Sequence, residues 1–177
     1  DWATVGFECC RKDQIAAIFV EPARWEDPNP DGWLRRTREF CDSIGALLVL
    51  DEMIYGARWA LGGATEYFGV TPDLACYGKA FGKGAPIAFV VGRDALAQHG
   101  EIISGTYSGD VQALTAVENV IRIYRQYGII DTLWARGRQL QRGLDAVVVT
   151  WNAIQTSVRG GVQRDGAAVH QRLAFSD

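Results

Sequence analysis

The chain has 177 residues, 48% hydrophobic and 22% charged, with a formal net charge of −3 and a pI near 5.4. That is enough apolar material for one sizeable core in the proportions of an ordinary α/β domain, and the faintly acidic balance offers no basic footprint to nucleic acid or to an anionic membrane. No apolar stretch approaches the roughly 18 residues that span a bilayer, and Asp1-Trp2-Ala3-Thr4 has no basic region ahead of a hydrophobic segment, so the sequence reads as cytoplasmic.

The first element is the apolar run Ile15 to Val20, a strand closed by Glu21-Pro22, where the proline forbids further ladder pairing. A start without an initiator methionine, just ahead of what reads as a mid-domain strand, suggests a piece of a longer polypeptide. Ala23 to Asp31 is loop chemistry, with prolines around Asp27 and Asn29. From Gly32 to Ser43, the spacing of Trp33, Leu34, Thr37, Phe40, Cys41 and Ile44 predicts a helix, with Arg35, Arg36, Arg38 and Glu39 on its other side. The continuous run Ala46 to Leu50 then ends abruptly in Asp51-Glu52. Such a run predicts a strand buried on both faces that delivers Asp51 to the carboxyl edge of a parallel sheet, where α/β proteins bind their ligands. Strand, loop, helix, strand is a βαβ unit, which implies a right-handed crossover.

Leu74 to Tyr77 predicts a short strand feeding Lys79, and Ile87 to Gly92 another. Asp110 to Tyr124 is helical by the spacing of Val111, Leu114, Val117 and Ile121. A further helix over about Ile130 to Val148, with Arg136, Arg138, Gln139 and Arg142 on a basic, polar face, opens a smaller domain, so residues 1–124 are assigned to a large domain and 125–177 to a small one. The tail beyond Trp151, ending Arg172-Leu173-Ala174-Phe175, is read as a pair of short strands. Cys9, Cys10, Cys41 and Cys76 form no CxxC pair, and only His99 and His170 stand beside them, which points to structural thiols and no metal.

The chemistry concentrates in two places. Lys79 lies in the glycine-punctuated stretch Tyr77-Gly78-Lys79-Ala80-Phe81-Gly82-Lys83-Gly84, after a strand, and Asp51 closes another. A parallel sheet brings both to one edge. A buried acid is costly unless something cationic meets it. One chemistry that uses an acid and an amine together is pyridoxal phosphate catalysis, where a lysine holds the cofactor as a Schiff base and a carboxylate keeps the pyridine nitrogen protonated. Asp51 could instead cap a helix or answer Arg58, and Lys79 could be a solvated turn residue. Gly78 and Gly82 favour the catalytic reading, since they admit positive φ and close approach and leave room for a ring on an amine held out of water. Lys83 is a second candidate for the same role. No GxxxxGK[ST] or GxGxxG loop is present. Ser104-Gly105-Thr106-Tyr107-Ser108-Gly109, directly ahead of a helix, can offer hydroxyls and N–H groups to a phosphate, though a plain capping turn reads the same way.

In order along the chain, Phe19-Val20-Glu21-Pro22, Gly45 to Met53, Gly56-Ala57-Arg58-Trp59, Thr71-Pro72-Asp73-Leu74, Gly78-Lys79-Ala80 and Ser104 to Gly109 resemble the class III aminotransferases of the fold-type I pyridoxal phosphate superfamily, in the branch similar to glutamate-1-semialdehyde aminomutase. The resemblance runs from about Ile15 to Tyr124. It implies a three-layer α/β large domain with a mostly parallel sheet of the aspartate aminotransferase-like type, then the start of a smaller α+β domain. It also implies Lys79 as the Schiff-base lysine and proton shuttle, Asp51 on the pyridine nitrogen, Met53 against one ring face where the family usually has valine, and Thr106 reaching the phosphate of a neighbouring subunit's cofactor in a homodimer. Glu21 and Glu52 lie near the site in the family. Tyr55 replaces a small hydroxyl residue and the loop after Glu21 is short, which implies an altered substrate pocket. The implied reaction moves an amino group between a small-molecule amine and an aldehyde or ketone; an intramolecular 2,1-aminomutase and a catalytically silent relative are the alternatives.

Overall fold

The computed structural model describes residues 14–23, 32–97 and 105–158. Its four-stranded sheet has the order β1-β2-β3-β4, from β1 (Ala17–Val20), β2 (Leu47–Asp51), β3 (Leu74–Tyr77) and β4 (Phe89–Gly92). β1, β2 and β3 run parallel, and β4 adds antiparallel to β3.

Between β1 and β2 lies α1 (Trp33–Ile44). Its Leu34, Thr37 and Cys41 are buried at helical spacing, and Thr37 Oγ1 donates to the Trp33 carbonyl at 2.8 Å. Gly45 ends it in the left-handed region at φ 71°, which lets the Ala46 N–H reach the Cys41 carbonyl at 3.0 Å and sends the chain straight into β2. Leu34 and Cys41 then pack on Leu48, Leu50 and Val70.

A short helix α2 (Ala64–Phe68) and a single 3₁₀ turn (Lys79–Phe81) flank β3. After β4 come α3 (Asp94–Ala97), α4 (Val111–Tyr127) and α5 (Ile129–Val158). Asp110 caps α4 by accepting from the Ala113 N–H at 2.8 Å, and Gly128 at φ 57° turns the chain from α4 into α5. Val120 and Tyr124 of α4 pack on Ala75, Tyr77 and Phe81, and Ile129, Ile130 and Leu133 at the start of α5 close over the same cluster.

Leu50 pairs with Ala75 in register, so the buried residues of β2 and β3 share the face that α1 and α4 cover. Leu47, Val49 and Asp51 on the opposite face are only half-buried. The expectation that β2 is buried on both faces is therefore corrected: among the described residues, helices cover one face and leave the one bearing Asp51 partly open. α5 also runs well past Val148, because no glycine or proline interrupts the chain from there to Val158. No helix among the described residues is long and apolar enough to cross a membrane. The strands read in the tail, and Cys9, Cys10, His99, Ser104 and His170, lie outside the described residues.

The amino edge of the sheet is locked by Asp73, 2% exposed. Its Oδ2 accepts from the Leu48 N–H and from Arg38 Nη1, both at 2.7 Å, and its Oδ1 pairs with Arg93. This lock fixes β3 against β2 at the end opposite Asp51.

Candidate active site

Asp51 is the last residue of β2 and sits in register with Cys76 of β3, so Lys79, just beyond the end of β3, emerges at the same carboxyl edge. Met53 joins the two. Its N–H donates to Asp51 Oδ1 at 3.0 Å, and its thioether packs so closely on Gly78 that a Cβ there would lie 2.9 Å from Sδ and 3.0 Å from the Ile87 carbonyl oxygen. Gly78 is required by this approach, and its backbone is extended at φ −178°. The left-handed conformations fall on Lys79 at φ 42° and Lys83 at φ 48° instead. Gly82, at φ −79°, is likewise needed for space, since a Cβ would meet the Ala85 carbonyl oxygen at 2.4 Å. The expectation that these two glycines adopt positive φ is thus corrected: they serve close approach, and the strain is carried by the lysines.

The two lysines are separated by environment. Lys83 Nζ stands 5.9 Å from the centroid of the Tyr124 ring on α4, a cation–π contact. Lys79 is exposed, against the expectation of a lysine held out of water, because no described element covers that edge. Asp51 is half-buried, and its Oδ2 receives no hydrogen bond from the described residues. The Cys76 thiol beside it is pushed up by burial and then by the Asp51 charge.

Glu52 has a structural task. It is fully buried; Oε2 accepts from the Ala64 N–H at 3.0 Å, and Oε1 accepts from the Thr65 N–H at 2.6 Å and the Thr65 hydroxyl at 2.5 Å. Burial outweighs these bonds and raises its carboxyl above the usual range. Tyr55 reaches back to β1: its hydroxyl donates to the Ala23 carbonyl at 2.8 Å, and its ring lies 5.0 Å from Trp59. Arg58 is exposed and does not pair with Asp51.

Thr106 is not brought to this cluster within the chain. It is exposed in the turn ahead of α4, where Ser108 Oγ accepts from the Gly105 N–H at 3.0 Å. Sequence reasoning missed the Asp73 lock and the burial of Glu52, whose partners lie on other elements. A cleft of about 620 Å³ between β3 and α4, lined by Tyr77, Phe81, Phe89 and Tyr124, contains none of Asp51, Met53, Lys79 or Thr106. No group of three His, Cys, Asp or Glu side chains among the described residues could hold a metal ion.

Residues 7–162 match the family Aminotransferase class-III. The chain is 35% identical over 160 residues to glutamate-1-semialdehyde 2,1-aminomutase of Natranaerobius thermophilus, covering 82% of this chain and 37% of that protein. It is 39% identical over 142 residues to the enzyme of the same name from Syntrophobacter fumaroxidans, covering 75% and 33%. Among solved structures, the pyridoxal phosphate internal aldimine form of the Sphingopyxis sp. FumI protein superposes with a TM-score of 0.68 at 33% identity, over 76% of this chain and 34% of that one. The ornithine aminotransferase of Toxoplasma gondii gives 0.67 at 27% identity, over 75% and 33%. The chain spans about a third of the length of these proteins. With the parallel sheet and its loops matched in this way, the chain belongs to the class III aminotransferase family and has the aspartate aminotransferase-like fold.

Proposed function

We propose that this chain is the lysine-bearing part of a pyridoxal phosphate-dependent aminotransferase that moves an amino group between an amine donor and an aldehyde or ketone acceptor. The observation that carries the reading is the convergence of Asp51, Met53 and Gly78-Lys79 at the carboxyl edge of two hydrogen-bonded parallel strands. The residues fit the cofactor: one carboxylate oxygen with no donor among the described residues, one exposed amine, and a glycine whose missing Cβ lets Met53 close the gap between them.

When bound, pyridoxal phosphate supplies the electron sink that bond-breaking at an amine's α-carbon needs. Lys79 Nζ would hold the cofactor, and the same amine would carry a proton to and from the substrate carbon. Asp51 would hold the proton on the ring nitrogen, with the Met53 N–H on Oδ1 keeping the carboxylate aimed. Met53 would help to hold the ring beside Gly78. Thr106 would bind the phosphate of the partner subunit's cofactor, so that two copies would complete each site; the exposed apolar surface of Tyr107, Val111 and Leu114 beside it supports a homodimer. Residues 1–124 belong to the large domain and 125–177 to the small one. Free thiols at Cys41 and Cys76 support a cytoplasmic location.

The likeness to the two aminomutases favours a second reading, the same half-reactions run within one molecule. Supplying a keto acid with a simple amine donor separates them, because a strict aminomutase releases no keto product. For the proposal itself, the full-length protein is mixed with pyridoxal phosphate and followed by visible absorbance. Wild type and Lys83→Ala gain the band and Lys79→Ala does not; a wild type that stays colourless identifies a catalytically silent relative and refutes the proposal.

A further inference from the structure

We infer that Tyr55 is a positioning residue for the substrate side of this site: its hydroxyl fixes the path of the chain leaving β1 and thereby sets where Glu21 stands relative to Asp51. The inference rests on the proposed site. Val20 pairs with Leu50, so the parallel register carries Glu21 alongside Asp51 at the shared edge. The ladder stops at Val20, and Pro22, which has no N–H, cannot resume it. Beyond the ladder, the one hydrogen bond to residues 21–23 from the described residues is that from the Tyr55 hydroxyl to the Ala23 carbonyl, at 2.8 Å. Ala23 is 1% exposed, so the tether is enclosed, whereas Glu21 is exposed at the mouth.

The tether is itself held. The Tyr55 ring packs 5.0 Å from Trp59, whose carbonyl accepts from Trp134 Nε1 on α5 at 2.9 Å. Burial raises the phenol above its ordinary range, and the charges of Glu21 and Glu52 add to that shift. A shorter hydroxyl side chain at residue 55 lacks the ring that spans this gap. Among the described residues neither Lys79 nor Asp51 hydrogen-bonds to Tyr55 or Ala23, so losing the tether alters the approach of substrate and leaves the covalent step in place.

The test is Tyr55→Phe in the full-length protein, which removes one oxygen and keeps the ring. A neutral, partly buried hydrogen bond predicts about five-fold faster amide exchange in a peptide covering residues 17–24. It also predicts a several-fold rise in KM for the amine with kcat within about two-fold, and an unchanged cofactor absorbance band. Unchanged exchange at residues 17–24, or a fall in kcat at constant KM, overturns the inference. If wild type gains no cofactor band, the proposed function fails, but the exchange measurement still decides the tether.

Discussion

Replacing Glu52 tests the packing beneath the site with a magnitude that can be worked out. Glu52 is fully buried and serves three donors: the Ala64 N–H, the Thr65 N–H and the Thr65 hydroxyl. Glu52→Ala leaves the buried Ala64 N–H without an acceptor, at a cost of about 1–3 kcal/mol, and the half-buried Thr65 groups add about 1 kcal/mol because water reaches them in part. The expected loss is about 2–4 kcal/mol, a large share of the roughly 5–15 kcal/mol that holds a domain folded. Glu52→Gln keeps an acceptor for Thr65 but turns an amide toward the Ala64 N–H, for a loss of about 1–2 kcal/mol at neutral pH. The pH dependence separates charge from geometry. Burial raises the folded carboxyl above its unfolded value, so its stabilising contribution is full below the unfolded pKa and is lost as pH rises through the folded one. Urea denaturation of wild type and Glu52→Gln from acid to neutral pH therefore shows a gap that narrows upward, wild type losing this increment and the glutamine variant not. A Glu52→Ala protein within about 0.5 kcal/mol of wild type, or a gap that widens upward, refutes the reasoning.

Three further outcomes follow from the same geometry. Asp73→Ala leaves the buried Leu48 N–H and Arg38 Nη1 without their acceptor while Arg38 Nη2 keeps Asp42, and urea denaturation should show a loss of about 2–4 kcal/mol; Arg93, 62% exposed, contributes little of it. Gly78→Ala drives a Cβ into Met53 Sδ and the Ile87 carbonyl, costing about 1–3 kcal/mol by thermal unfolding, and adding Met53→Val recovers part of it by relieving the first contact only. Tyr77, whose hydroxyl donates to the Gly62 carbonyl at 2.9 Å, is pushed up to about 12 by burial. Its contribution to stability is full below its unfolded pKa of about 10 and is lost as pH rises through the folded value, and a spectrophotometric titration should show a late-ionising tyrosine that Tyr77→Phe removes.

The parts of the fold written in local pattern were legible in the sequence. β3 was readable to the residue because Leu74 to Tyr77 is short and bounded by Asp73 and Gly78, and α1 because its buried face repeats at Leu34, Thr37 and Cys41. The end of α5 was not legible because its far half alternates apolar and polar residues weakly and carries no glycine or proline to mark where the helix stops. The site was half legible. Asp51 and Lys79 announce themselves as residues ending or following apolar runs, but the Met53 bridge depends on how the two loops cross, which no spacing encodes. Gly78 and Gly82 show the same limit: a glycine needed for space and a glycine needed for positive φ are identical on paper, and only the packing of Met53 and Ala85 tells them apart.

The most direct measurement of the central claim is to reduce the full-length protein with borohydride in the presence of pyridoxal phosphate and locate the modified residue by peptide mass spectrometry, in wild type and in Asp51→Asn. The convergence of Asp51 and Lys79 predicts a single pyridoxyl adduct on Lys79 in both proteins, with the asparagine variant binding the cofactor more weakly and losing most of its amino-transfer activity. An adduct on Lys83, or an Asp51→Asn protein indistinguishable from wild type in cofactor affinity and turnover, contradicts the account.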